Sequence, residues 1–323
     1  MKPTLLNLLL PALVAPVLSA QVIEDDFNDG NDSGWERYAP LAALGAPATF
    51  SFPGGSGYRV QSPPSPNAAL AGPARAGAHR ATTVYEAFRV EVDLIDWNNG
   101  LEQDIGVLGS LGEVGLGTTN GYAFSYDTGG EGLFISVLSG EQPNSLGSAS
   151  VTLIPGESYR MVFQGFFDVE EFYGQLCGEI FSLDDLETPL ATVFGSNFDY
   201  PSGTCGIFTN STADGGRTDA TFDNYRSSAE TDVDKDGMTD QWEVDNLGDI
   251  FWYDDEDFDG DGQTNLEEFL GGSDPADPDS LSGSSEIGPL DVRVANGELT
   301  VGFPAPAGYR YGLEISSDLE NWS

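Results

Sequence analysis

The sequence predicts a mainly β protein: one large sandwich, then a small acidic segment of two loops with short helices, then an incomplete second β unit. Three observations carry this. Residues 22 to 228 hold many short runs in which apolar and polar side chains alternate, broken by Gly, Pro, Asn and Asp, with almost no helical periodicity. Residues 231 to 280 hold 18 acidic residues against one lysine, and a twelve-residue pattern occurs there twice. Alternation returns after residue 287, but the 37 residues from there to Ser323 are too few to bury a core alone.

The chain opens MKPTLLNLLLPALVAPVLSA, with Lys2 as its charged end, an apolar stretch from Leu5, and small residues at Ser19 and Ala20. This predicts a secretory signal peptide over residues 1 to 20, cleaved near Ala20. Pro11 and Pro16 interrupt a stretch already short for a membrane span, and no later segment is apolar enough. The mature form is therefore expected to be secreted or held at the cell surface. A formal charge of −41 with 12 basic residues excludes DNA or RNA as a main partner, because little is present to neutralise phosphates. In an exported chain the two cysteines, Cys177 and Cys205, are expected to form a structural disulfide. The lone histidine, His79, sits in a loop-like stretch and reads as a surface residue, so neither a histidine-rich zinc site nor a serine–histidine triad is supported.

Within the large module, FRVEVDLIDW (88 to 97) places Phe88, Val90, Val92 and Leu94 on one face and Arg89, Glu91 and Asp93 on the other. Further strands are predicted at 121 to 127, 132 to 139, 159 to 167, 173 to 181 and 220 to 226. Sugar recognition needs aromatic faces beside amide and carboxylate hydrogen bonds. The candidates are Trp97, Tyr122, Tyr126 and Tyr173, with Asn98, Asn99 and Asn120. Trp97 leads because it stands where the strand gives way to the turn WNNG.

DVDKDGMTDQWE (232 to 243) and DFDGDGQTNLEE (257 to 268) both fill the calcium-loop pattern D-x-[DN]-x-[DN]-G-x5-E. Calcium takes many oxygen ligands. Asp232, Asp234, Asp236, Asp240 and Glu243 are expected to supply side-chain oxygens in the first loop, and Met238 a backbone carbonyl. Asp257, Asp259, Asp261, Asn265 and Glu268, with the Gln263 carbonyl, take those roles in the second. Gly237 and Gly262 permit the sharp turn. Each loop feeds an exit helix, the first carrying Trp242, Leu247 and Ile250, the second carrying Leu266, Phe269 and Leu270. Thr264 and Glu267 have capping-box spacing, and Gly271 and Gly272 end the second helix. The first loop has no entering helix, which argues against an intracellular sensor. Beyond it, LDVRVANGELTVGF reads as a hairpin turning at Asn296 and Gly297, with a third strand at YRYGLEI.

Three stretches, IEDDFNDGNDSGWERY, EVDLIDWNNGLEQDIGVLG…NGYAFSYD and GTCGIFTNSTADGGRTDATFDNYRSS, together resemble the concanavalin A-like, laminin-G-type jelly rolls of secreted bacterial proteins. The resemblance implies a jelly-roll β-sandwich over 22 to 228 whose first and last strands pair. That pairing would bring Asp25 or Asp26 near Asp223 as a further calcium candidate. EVDLID comes within one residue of the signature of the laminarinase and lichenase glycosidases, which would give Glu91, Asp93 and Asp96 catalytic roles if a bulge at Leu94 and Ile95 put all three on one face. Residues 231 to 280, ending GGSDPADPDS, resemble thrombospondin type 3 calcium repeats and, more distantly, dockerins. The segment from 287 to 323 resembles the start of a small β-sandwich module. The expected function is non-enzymatic: adhesion to a polysaccharide, cell-surface glycan or protein partner, with a calcium-stiffened spacer. The alternatives are a glycoside hydrolase and a structural stalk or docking protein.

Overall fold

The computed structural model describes residues 22–55, 57–169 and 171–280, together with the backbone of two strands at 291–295 and 298–302. The predicted signal peptide and the third C-terminal strand lie outside the described residues. The chain divides into two compact units, residues up to Lys235 with Thr239–Gln241, and Asp236–Met238 with the chain from Trp242 onward. The division falls inside the first acidic loop.

The large unit is an antiparallel sandwich. In chain order its elements are β1 (Ile23–Asp25), β2 (Glu36–Tyr38), β3 (Thr49–Ser51), β4 (Tyr58–Ser62), the one-turn α1 (Ala68–Ala71), β5 (Arg75–His79), β6 (Phe88–Trp97), β7 (Gln103–Leu111), β8 (Gly121–Asp127) and β9 (Gly132–Ser139). Then follow β10 (Gln142–Ser150), β11 (Tyr159–Asp168), β12 (Tyr173–Ser182), β13 (Ala191–Ser196), β14 (Thr204–Ser211) and β15 (Thr218–Ser228). One sheet runs β13-β12-β11-β6-β15-β4-β3, and β1 joins it along β15 with Asp25 opposite Tyr225, so the first and last strands pair as expected. The other runs β10-β9-β8-β7-β14-β5-β2.

Alternation decides which side chains meet between the sheets. Phe88, Val90, Val92 and Leu94 of β6 are fully buried, facing Val107, Phe124 and Ile135 of the opposite sheet in one continuous core. A one-residue bulge then interrupts β6: Leu94 pairs with Phe222 and Asp96 with Thr221, leaving Ile95 as the extra residue. The bulge reverses the alternation, so Trp97 turns into the core and Asp96 out to solvent.

Two expectations are corrected here. Cys177 and Cys205 are separate buried thiols and not a disulfide. Cys205, on β14, belongs to the inter-sheet core; Cys177, on β12, alternates with core residues Leu176 and Ile180 and looks away from it. Burial pushes both thiols up to about 12, which keeps them protonated and inert. His79 is not on the surface. It ends β5, is 7% exposed, and its Nδ1 lies 3.1 Å from the Thr204 hydroxyl, with burial lowering its pKa.

α2 (Asp240–Leu247), in the second unit from Trp242 onward, and α3 (Asn265–Gly271) follow the two acidic loops. The Thr264 hydroxyl accepts from the Glu267 backbone N–H at 3.2 Å, and the Glu267 carboxylate accepts from the Thr264 N–H at 3.0 Å, completing the predicted capping box. Gly272, at φ +70°, closes the helix. Trp242 meets Phe269 edge-on at 5.1 Å, and Leu247 and Ile250 are buried. Strands β16 (Asp291–Ala295) and β17 (Glu298–Gly302) pair antiparallel, with Ala295 opposite Glu298.

Candidate functional site

Three of the four aromatic side chains expected to carry a ligand are buried, and Tyr173 is half-buried. Trp97 is 7% exposed and packs against Tyr159; Tyr122 and Tyr126 are 0% and 3% exposed in the inter-sheet core. The physical reason is parity. In GYAFSYD the three aromatics occupy alternate positions, so all point inward together, while Ala123, Ser125 and Asp127 point outward. Asn98 folds its amide oxygen onto the Gly100 N–H, and Asn120 takes the Gly140 N–H, so both serve turns. Tyr173 donates to the Gln175 side chain.

The outward face of the second sheet carries what those residues lack. A cleft of about 640 Å³ lies over β5, β14, β7, β8 and β9. Register builds it in rows. In one, Phe208 of β14 stands opposite Gly106, Gly106 opposite Ser125, and Ser125 opposite Phe134 of β9. Two half-buried phenylalanines thus flank two positions with little or no side chain, three strand spacings or about 14 Å apart. Gly106 is held to glycine, because a Cβ there would come within 2.0 Å of the Phe124 carbonyl oxygen. The neighbouring row runs Arg75, Asn210, Asp104, Asp127. Leu108, Leu111 and Ala123 form an apolar patch beside these rows, and the 87% exposed Leu70 of α1 stands at the rim.

The polar groups at the two ends of the cleft differ. At one, Arg75 pairs bidentately with Glu141 at 2.8 and 2.7 Å, while the Tyr38 hydroxyl and the Gly117 N–H also donate to that carboxylate. Its hydrogen-bonding capacity is used up. At the other, Asp104 accepts from the Asn210 amide at 3.1 Å and stands directly opposite Asp127. Burial pushes the Asp104 carboxyl up to about 6; the Asn210 hydrogen bond works against the shift and the Asp127 charge adds to it.

A raised carboxyl pKa contributes stability that is complete below its unfolded value of 3.8 and lost as pH rises through about 6. Above that pH the ionised group costs the fold on the order of 3 kcal/mol. Asp104→Asn should therefore stabilise the protein at pH 7.5 by up to about 3 kcal/mol, with the gain shrinking to nothing near pH 4. Urea melts of both proteins across that range check it, and a gain independent of pH would refute the assignment.

The acidic loops gather their carboxylates as the pattern requires. Ligand oxygens of Asp232, Asp234 and Asp236, of Asp234, Asp240 and Glu243, and of Asp257, Asp259 and Asp261 each lie within 4.8 Å of one another. Among the described residues these are the groups of three or more acidic side chains whose oxygens come that close. Asp240, Glu243, Asn265 and Glu268 are fully buried, as is Met238. In the second loop, oxygens of Asp259, Asp261 and Glu268 are buried without a hydrogen-bond partner, and burial with three neighbouring aspartates pushes the Glu268 carboxyl up. The donor set fits a hard divalent cation.

The two loops differ at their fourth position. Both have positive φ there, Gly260 at +81° and Lys235 at +70°. A non-glycine residue in this region costs about 1–2 kcal/mol, and Lys235 offsets it with an ion pair at 2.9 Å to the buried Glu179 of β12. Gln164 of β11 also exchanges hydrogen bonds with the Asp232 backbone, at 3.1 and 3.3 Å.

The bulge does place Asp96 on the outer side of β6 with Glu91 and Asp93. Those carboxylates are committed elsewhere. Asp93, 2% exposed, takes two bonds from Arg160 and one from Asn224, and Glu91 pairs with Arg89 at 2.6 Å. Asp25 likewise accepts from the Trp35 indole and the Phe27 N–H. Glu91, Asp93 and Asp25 are thus each held by neighbouring donors, while Asp96 is exposed.

No family model matches the chain, and no curated protein matches it. Among solved structures it is similar to the carbohydrate-binding module CBM66 from Bacillus subtilis, at 12% identity and a TM-score of 0.42, covering 61% of this chain and 97% of that one. It is similar to lectin II from Ulex europaeus at 8% identity and a TM-score of 0.40, covering 64% and 97%. Peanut lectin with a nine-residue peptide gives 9%, 0.39, 64% and 98%. Likenesses this distant carry nothing about ligand or activity. No helix among the described residues is long and apolar enough to cross a membrane.

Proposed function

We propose that this is an exported, non-enzymatic adhesion protein that binds a glycan in the cleft on the outer face of its second sheet. Phe134 and Phe208 supply the faces against which pyranose rings lie, and Asp104, Asp127 and Asn210 supply the hydrogen-bonding edge. The observation that carries this reading is the pair of phenylalanines on the outward, otherwise polar parity of their strands, facing each other across Gly106 and Ser125. The two acidic loops hold calcium, Asp232, Asp234, Asp236, Met238, Asp240 and Glu243 in one and Asp257, Asp259, Asp261, Gln263, Asn265 and Glu268 in the other. Calcium would neutralise the carboxylates and stiffen residues 231 to 280 as a spacer, in the manner of thrombospondin type 3 repeats.

The test is a glycan array probed with the chain from Gln21. Phe208→Ala should weaken binding about tenfold or more, since stacking contacts of this kind are worth on the order of 1 kcal/mol each beyond buried area. Trp97→Phe, a core substitution, should leave affinity within about twofold. A blank array with a folded protein would overturn the reading.

A further inference from the structure

The Asp104–Asp127 edge has a feature that a neutral sugar does not explain. The two residues are directly opposite on β7 and β8, and the flanking bond from the Thr128 N–H to the Gln103 carbonyl makes theirs a non-hydrogen-bonded pair. In such pairs the Cα atoms are only about 4.5 Å apart and the side chains are closest. Like charges at that spacing repel. Nature usually relieves this with a cation, yet among the described residues no basic side chain pairs with either aspartate. Arg75 stands in the same row beyond Asn210, but its guanidinium is held by Glu141. Among the described residues the only side-chain donor to Asp104 is neutral, the Asn210 amide, and Asp127 accepts from the Gly129 N–H.

We infer that the ligand itself brings the cation: the cleft recognises an amino sugar with a free amine, its ammonium seated between Asp104 and Asp127 and its ring lying toward Phe208 and Phe134. This rests on the glycan reading above and deepens it. An ammonium offers three donors to a site made of acceptors, and it cancels the repulsion between the carboxylates. An N-acetylated sugar would instead present a carbonyl oxygen and a methyl group there, with one N–H to serve two carboxylates. A slender lysine or polyamine would satisfy the aspartates but leave the wide slot between the phenylalanines unfilled, so the cleft fits a ring bearing the amine better than the amine alone.

The experiment compares glucosamine hexamer with N-acetylglucosamine hexamer by calorimetry near pH 7, using the chain from Gln21. The expected result is about tenfold or greater preference for the free amine, falling to within about twofold in Asp104→Asn/Asp127→Asn. That variant should fold, because it removes a cost; circular dichroism confirms it. Attraction to the chain's overall charge of −41 is separable, since it would survive this substitution and Phe208→Ala, and spermine would then bind as tightly as the hexamer. Equal binding of both hexamers, or a preference unchanged in the double variant, overturns the amine and leaves the glycan site standing. Binding of neither hexamer while the array shows a neutral glycan has the same meaning, and a blank array removes both.

Discussion

Replacing Glu141 by alanine should destabilise the large unit by about 3–5 kcal/mol, the usual cost of leaving one member of a buried ion pair alone. Arg75 and Glu141 are 12% and 9% exposed, so neither charge has water to fall back on. Burial works against both charges, and the bidentate geometry, the Tyr38 hydroxyl and the Gly117 N–H work for Glu141. The backbone agrees that this side chain matters. Gly140 and Glu141 form the two-residue turn between β9 and β10, both at positive φ, +58° and +66°. Such a turn prefers glycine or asparagine at its second position, and glutamate is retained there because its carboxylate ties the turn to β5, β2 and the loop at Gly117. Glu141→Gln should cost nearly as much, because the shape is kept and the guanidinium is still stranded. Arg75→Met with Glu141→Leu should recover most of the loss. Urea melts of the wild type, Arg75→Met, Glu141→Leu and the double variant form a double-mutant cycle; a loss under about 1 kcal/mol for Glu141→Ala would mean the pair is no clip.

Chelating calcium should unravel α2 and α3 while the sandwich keeps its β signal. The second loop gathers Asp257, Asp259 and Asp261 around a buried Glu268, one of whose oxygens has no hydrogen-bond partner. Without a cation, charge repulsion opposes the geometry that α3 needs at its first turn. At calcium a thousandfold above its dissociation constant, the folded segment should gain about 4 kcal/mol. Far-ultraviolet circular dichroism during a calcium titration reads the helix, and thermal melts read the stability. Glu268→Gln should shift the titration of the second loop to higher calcium and leave the first in place. A titration with no gain in helix or melting temperature would sink the calcium assignment.

Much of this was legible without coordinates. The strands at 121 to 127 and 132 to 139 have the predicted bounds, because alternation and the glycines between them are local signals. The capping box at Thr264 and Glu267 is also local. The outward phenylalanines of the cleft were missed, although strand parity carries a signal for them. In GLFISVLS and TCGIFTNS, Phe134 and Phe208 fall on the parity of Ser136 and Asn210, opposite to Leu133, Ile135, Cys205 and Ile207. An aromatic on the polar parity is the signal; Tyr122 and Tyr126, on the apolar parity, were bound for the core. Trp97 could not be placed by counting, since one bulged residue at Ile95 reverses the strand.

The sequence by itself determined the β class, the positions of β6, β8, β9, β11, β12 and β15, and the two acidic loops, because each depends on residues a few positions apart. Only the tertiary structure decided that Cys177 and Cys205 face different sides, that Glu91 and Asp93 are taken by arginines, and that Asp104 and Asp127 are left facing each other without one. Those outcomes hang on partners distant in the chain. Arg75 and Glu141 are 66 residues apart, and Asp104 and Asn210 are 106. Which charges meet across such distances is fixed by strand order and register, and neither is written in the spacing of any one segment.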